Sequence, residues 1–186
     1  MTTDGISGPG ADAGQAVPDK AVPPTANNAL IRQGRRATPD MVAAARPPSG
    51  FEPIVSNSPF GWENGPLFER VPEGGGFEDG GLERGFRVDE KHINAGGFCH
   101  GGMIMTFADI VLASAVMTVA DPPFVTVRLT TDFIASAKLD DWVTGRGRVT
   151  GQRDGLVMLS GEVLVEDTII AGLSGAFKLL RARAAK

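Results

Sequence analysis

The chain has 186 residues, 42% hydrophobic content and a formal net charge of −4, with 18 basic and 22 acidic side chains. This length and composition favour one domain, or one domain with a tail, large enough to bury a real core. Beyond the cluster RQGRR at 32–36 there is no basic stripe, and only 6% of residues are aromatic, which argues against nucleic acid as a partner.

Targeting and metal-binding signals are also lacking in the sequence. The amino terminus has no basic patch followed by an apolar stretch of signal length, which favours a cytoplasmic location. The apolar run at 103–120 contains an aspartate, so we expect a buried helix of a globular domain and no membrane association. One cysteine and two histidines are too few for a Cys/His zinc site, and we predict no metal and no cofactor.

Residues 1–50 are rich in Gly, Pro, Ala and small polar side chains. Such a segment buries too little apolar surface to offset the entropy of ordering, which predicts a mostly disordered tail. Within it, Thr38 as a cap and Pro39 at the first helical position allow a short helix that ends near Ala45. The globular domain is therefore predicted to span residues 51–186.

Two strands are predicted next, GPLFERV at 65–71 and LERGFRV at 82–88, flanking the glycine-rich PEGGGFEDGG. The glycines favour a hairpin connection. A phosphate-binding loop is the alternative interpretation, but no GxxxxGK[ST] or GxGxxG pattern begins a helix there.

A long helix follows, beginning at Gly101 and Gly102 and ending before DPP at 121–123. Its apolar residues surround most of the circumference, which predicts that other structure wraps it. Four strands are predicted after it, joined by short turns that include RDG and EDT: 124–135, 142–152, 156–165 and 169–180. The expected architecture is α+β, one long central helix wrapped by a curled antiparallel sheet of about six strands.

One stripe of this helix carries only small and polar side chains: Gly102, Thr106, Asp109 and Ala113. Asp109 is the only charge in the stripe. A carboxylate in a core is costly unless it is paired, so one flanked by small residues usually faces a polar group that can approach it. The structural alternative is a simple hydrogen bond from Asp109 to Thr106 or to a sheet backbone group.

The start of the helix, HGGMIM at 100–105, presents unpaired N–H groups at the positive end of the helix dipole. Gly101 and Gly102 would let a ligand approach this backbone closely, which favours an oxyanion site; tight helix packing is the alternative reason for two glycines. His100 and Asp109 lie nine positions apart, hence on opposite faces and about 13.5 Å apart along the axis. If both act on one atom, the site must combine two protomers of a two-fold dimer with antiparallel helices.

These residues resemble the hotdog-fold acyl-CoA thioesterases of the phenylacetic-acid degradation (PaaI-like) type. The family pattern, an Asn six residues before HGG and an acidic residue nine after the His, is matched by Asn94, His100, Gly101, Gly102 and Asp109. The likeness covers residues from about 60 to 181. It implies a hotdog fold that pairs into a homodimer and often a dimer of dimers.

The resemblance also implies roles for individual residues. Asp109 would be the general base or nucleophile, and the Gly101 N–H would polarise the thioester carbonyl. Asn94 would orient water or substrate, and Thr126 would place a hydroxyl near the attacking water. His100 would act mainly through its backbone and by shaping the loop.

The substrate implied is an acyl-CoA with an aryl or medium-chain acyl group. Lys138, Arg146 and Arg153 are candidates for contacts with the CoA phosphates. The predicted acyl pocket is lined by Phe98, Met103 and Phe107.

Two other functions are compatible with this pattern. An acyl-thioester hydratase or dehydratase would share proton transfer between a histidine and an acidic residue, but the position of His100 directly before the glycines argues against it. A non-catalytic acyl-CoA-binding protein would bind intact thioester without turnover and could engage a partner through residues 1–50.

Overall fold

The protein is described by a computed structural model that covers residues 34–72, 81–121 and 123–180. Three α-helices and seven β-strands lie in these ranges. In chain order they are α1 (Pro39–Ala45), β1 (Glu52–Pro53), α2 (Pro59–Asn64), β2 (Phe68–Arg70), β3 (Glu83–Arg87), α3 (Gly101–Val116), β4 (Phe124–Phe133), β5 (Trp142–Arg153), β6 (Leu156–Val165) and β7 (Thr168–Leu179).

The two short helices begin in the same way. Thr38 caps α1 and Ser58 caps α2, each by accepting a hydrogen bond from a backbone amide, and a proline follows each cap. Proline suits the first helical position because its missing N–H would have no intrahelical partner there. The predicted short helix ending at Ala45 is thus confirmed, whereas α2 was not predicted.

All strands are antiparallel neighbours in one sheet, in the order β1-β2-β3-β5-β6-β7-β4. The β2–β3 pairing confirms the predicted hairpin, although most of its glycine-rich connection, residues 73–80, lies outside the described residues. The turn between β5 and β6 holds Asp154 and Gly155 at φ 53° and 73°, the conformation that tight hairpin turns require. This order leaves β4 with one open edge in the single protomer.

Helix α3 packs on one face of the sheet through the core residues Phe107, Val111 and Leu112, all fully buried. Strand glycines permit this close approach: a Cβ on Gly145 would lie 2.6 Å from Val111, and one on Gly175 would lie 2.7 Å from Leu112. The long helix against an antiparallel sheet confirms the predicted α+β architecture. The sheet has seven strands in the described ranges, one more than expected, because the two-residue β1 was not foreseen.

The helix is not wrapped on every side within one protomer. Met105, Thr106, Asp109, Ile110 and Ala113 form a partly exposed stripe that continues to Gly101 and Gly102 at the helix start, while the other residues of α3 are buried. The predicted small and polar stripe therefore coincides with the open side of α3.

Residues 34–50, placed in the tail by their composition, contain α1 and contact the domain. Arg87 of β3 holds the end of α1, because its guanidinium donates to the carbonyl oxygens of Ala45 at 2.9 Å and Arg46 at 2.5 Å. The same guanidinium donates to the Asp140 carbonyl at 2.7 Å. Residues 1–33 of the predicted tail lie outside the described residues.

Loss of this guanidinium should weaken the fold measurably. We expect Arg87→Met to lower the free energy of unfolding by about 2–4 kcal/mol, because three carbonyl groups lose a charged donor. Arg46→Ala is the matched control: its ion pair with Asp140 is largely exposed on both sides and should contribute at most about 1 kcal/mol. Urea unfolding of both variants measures the difference, and equal losses would contradict the assigned role of Arg87.

Candidate active site

The start of α3 is capped by a histidine side chain. His100 Nδ1 accepts a hydrogen bond from the Gly102 amide at 2.8 Å, and the His100 carbonyl accepts from the amides of Met103 and Ile104. An imidazole that accepts at Nδ1 carries its proton at Nε2 when neutral. Among the described residues, the Gly101 amide has no hydrogen-bond partner, so the first turn of α3 offers this one donor to a ligand.

The loop before the helix is shaped by Asn94. Its side-chain oxygen accepts from the Gly96 amide at 2.8 Å and from the Phe98 amide at 3.3 Å. Its backbone amide donates to the Phe98 carbonyl at 2.8 Å. Because the oxygen is occupied, the Asn94 side chain can contact a substrate only through its NH₂ group.

Asp109 lies two turns into α3, partly exposed on the open stripe. Its Oδ1 accepts a hydrogen bond from the Thr126 hydroxyl of β4 at 2.7 Å. The Thr106 hydroxyl instead donates to the Gly102 carbonyl at 2.9 Å, so the alternative pairing of Asp109 with Thr106 is absent. Thr126 was chosen from the sequence as a neighbour of the attacking water, and its direct bond to the carboxylate was not predicted.

A groove runs beside Asp109 between α3 and residues 54–67. Its volume is about 440 Å³ and it opens to solvent. Its lining includes Ile54, Phe60, Leu67, Met105 and Ile110. No motif pointed to residues 54–67, because their approach to α3 arises from tertiary packing alone.

One protomer does not bring the two candidate groups together. Helix α3 is continuous from Gly101 to Val116, so the eight residues from Gly101 to Asp109 separate their backbones by about 12 Å along the axis. Within one chain, therefore, the open amide and the carboxylate cannot act on one carbonyl group.

The predicted substrate contacts fall into two sets. Phe98 and Lys138 form an isolated antiparallel bridge next to the helix start, and Phe98 is exposed. Met103 and Phe107 are buried in the core, where Phe107 packs edge-on against Phe86. In the described protomer these two core residues do not line the groove at Asp109.

Among the other candidate phosphate contacts, Arg146 pairs with Glu162. Arg153 lies 3.5 Å from Asp154, with both side chains more than 90% exposed. Neither arginine is among the residues that line the groove beside Asp109.

His92 is buried in the connection between β3 and α3. It is the last residue of the short 3₁₀ turn Glu90–His92, and its ring bridges the Asp89 amide at 3.0 Å and the Asn64 carbonyl at 3.1 Å. Burial lowers the pKa of His92, which keeps the ring neutral. Because the His100 amide donates to the His92 carbonyl at 2.7 Å, His92 connects the end of α2 to the start of α3.

Cys99 is buried in the core. Burial raises the pKa of its thiol to about 11. Very little thiolate exists at neutral pH, so Cys99 is a poor nucleophile in the native state.

The described ranges contain neither a candidate membrane span nor a candidate metal cluster. No helix in them is long and apolar enough to cross a membrane. No group of three or more His, Cys, Asp and Glu side chains is placed to hold a metal ion in the same residues.

The hotdog fold is shared with solved structures. A mutant form of the phenylacetic acid degradation protein PaaI of Thermus thermophilus is 22% identical with a TM-score of 0.57, and the match covers 66% of this chain and all of that chain. A Bacillus halodurans protein crystallised with CoA is 19% identical with a TM-score of 0.54, covering 62% of this chain and 74% of that one.

Sequence comparisons define the family. The thioesterase superfamily profile matches residues 96–170. A Pseudomonas aeruginosa protein that carries the provisional name of an esterase is 34% identical over 134 residues, 71% of this chain and 96% of the relative. The fold and these matches define the class as thioester hydrolases with the hotdog fold. The chain belongs to the thioesterase superfamily.

Proposed function

We propose that this protein hydrolyses an acyl-CoA thioester, with an aryl or medium-chain acyl group, to the free acid and CoA. The observation that carries the proposal is the placement of Asp109: a carboxylate on the open stripe of α3, fixed through one oxygen by Thr126 and bordering a largely apolar groove. The CoA moiety is suggested by the similar Bacillus halodurans protein, which was crystallised with CoA.

In the proposed reaction, the Gly101 amide donates to the thioester oxygen as negative charge develops there. Asp109 either takes a proton from water as that water attacks the carbonyl carbon, or attacks the carbon itself to form an anhydride that water then hydrolyses. In both routes the C–S bond breaks, sulfur leaves as the CoA thiolate and takes up a proton, and water supplies the new oxygen of the acid.

The site requires a second copy of the chain, since one protomer separates Gly101 from Asp109. A two-fold dimer with antiparallel α3 helices would place the Asp109 of one protomer beside the Gly101 amide of its partner. The open edge of β4 supports this arrangement, because four large apolar residues on or next to it are exposed: Val125, Val127, Phe133 and Ile134. A dimer of dimers and a cytoplasmic location stay predictions from the sequence.

The remaining residues have supporting roles in this proposal. Asn94 holds the loop and presents its NH₂ group to substrate or water, while Gly102 and His100 complete the cap that orients the helix start. Lys138, bridged to Phe98 through the backbone, is the candidate contact for a CoA phosphate.

The hydratase alternative has less support. It needs a histidine side chain that exchanges protons with substrate, yet Nδ1 of His100 is bound to the Gly102 amide. Only Nε2 could take part, and its proton transfer would have to leave that cap intact.

The test is a panel of acetyl-, butyryl-, octanoyl- and phenylacetyl-CoA, with CoA release followed by a thiol reagent and assembly size measured by sedimentation. We expect turnover of at least one longer or aryl substrate by a dimer or larger assembly. Cys99 should add little background because it is buried. Tight binding of intact acyl-CoA without turnover would contradict the proposal and favour a binding protein, and an active monomer would contradict the shared site.

A further inference from the structure

We propose that the groove between α3 and residues 54–67 binds the acyl group and selects neutral, apolar acyl groups of medium length. This inference rests on the proposed function, since Asp109 borders the same groove. It assigns acyl recognition to Ile54, Phe60 and Met105, and it replaces the sequence-based assignment to Met103 and Phe107, which lie in the core.

The lining supports an apolar occupant. Leu67 is buried at the floor, Ile54 and Ile110 are half-buried, and Phe60 and Met105 are 62% and 43% exposed at the rim. An apolar ligand that packs against such side chains beside a reactive group is stabilised by the burial of apolar surface. The groove volume of about 440 Å³ lies within the range of roughly 300–1,000 Å³ typical of small-molecule sites.

The charge of the groove lining disfavours acyl groups that carry a carboxylate of their own. Asp109 is the one ionisable side chain among the residues that line the groove in the described ranges. A dicarboxylic acyl group would place its own carboxylate near Asp109, and no cation among the described lining residues offsets the repulsion. Neutral acyl groups should therefore be preferred over carboxylated ones of equal length.

The outer wall is held firmly enough to select by shape. The Ile54 amide donates to the Leu67 carbonyl at 3.1 Å, and the Trp62 indole donates to the Ser56 carbonyl at 3.1 Å. The end of α2 is tied down by His92, which contacts the Asn64 carbonyl. These bonds fix the position of the wall relative to α3.

The test compares kcat/KM for octanoyl-, butyryl- and glutaryl-CoA in three variants. Met105→Trp fills the groove and Phe60→Ala removes its rim; each should lower the octanoyl-to-butyryl ratio, the first by about tenfold or more. Met117→Trp is the matched control, because Met117 is 49% exposed at the end of the same helix but lies outside the groove. Glutaryl-CoA should be the poorest of the three substrates for the wild type.

A binding measurement separates this inference from the proposed function. Asp109→Asn should bind octanoyl-CoA more tightly than butyryl-CoA in calorimetry, and adding Met105→Trp should reduce that difference. If the wild type turns over no acyl-CoA while this difference is found, the proposed function fails and the acyl site stands. An unchanged length profile in both groove variants, or equal binding of the two thioesters to Asp109→Asn, overturns the acyl site.

Discussion

Replacement of Asp109 by Asn is expected to lower kcat for acyl-CoA hydrolysis by about 10²–10⁴-fold, because the amide can neither accept the proton of water nor attack the carbonyl. The fold should be unaffected, since an Asn side-chain oxygen can still accept the Thr126 hydroxyl that now bonds Oδ1 at 2.7 Å. Steady-state kinetics on the best substrate of the panel, with urea unfolding of the same variant, measure the two quantities.

Thr126→Val and Thr126→Ser serve as controls for this experiment. The serine variant keeps the hydroxyl that fixes Asp109, and the valine variant removes it at nearly constant volume. We expect the valine variant to lose more activity than the serine variant and both to lose less than Asp109→Asn. Wild-type turnover by a folded Asp109→Asn would refute the catalytic role of the carboxylate.

Substitution of Gly101 by Pro is expected to lower kcat by about 10²–10³-fold, since it deletes the amide proposed to stabilise the developing oxyanion. Proline fits the first position of a helix, and His100 already has the extended backbone that a residue before proline prefers. Gly101→Ala is the matched control: its Cβ would meet the Phe133 ring at about 3.4 Å, as a proline Cβ would, but it keeps the N–H. Equal losses in the two variants would mean that crowding, and not the amide, explains the effect.

Mixing the two inactive variants tests the shared site directly. If each site combines Asp109 of one protomer with Gly101 of its partner, a mixed dimer of Asp109→Asn and Gly101→Pro contains one intact site and one doubly altered site. After unfolding and refolding together in equal amounts, about half of the dimers are mixed, and activity should return to about a quarter of the wild type. No recovery from a verified mixed dimer would place both groups in the same protomer and overturn the dimer proposal.

Periodicity made most of the sheet and the long helix predictable. Strand β4 alternates Val125, Val127 and Leu129 with polar residues, and short turns such as Asp154-Gly155 separate β5, β6 and β7. The stripe of Thr106 and Asp109 could be recognised from the sequence because α-helical spacing puts residues three apart on the same side of the helix. These features depend on neighbours in sequence, so local rules describe them well.

The wall of the acyl groove could not be predicted in the same way. Strand β1 has two residues and α2 has six, too short for a period to show. Their positions depend on contacts distant in sequence, such as that of His92 with Asn64. The sequence-based acyl pocket differs from the groove for the same reason: Met103 and Phe107 are apolar and near the motif, but the helix turns them into the core.

The attachment of α1 affects how the protein can be shortened. Val42 and Ala45 pack with Phe51, Phe68 and Trp142 in a second, smaller apolar cluster. A chain that began at residue 51 would expose these rings to solvent. It would also leave the Arg87 guanidinium of β3 facing water where it now binds the end of α1. Such a fragment would be prone to self-association, so a truncation series intended for crystallisation should retain everything from residue 34 onward.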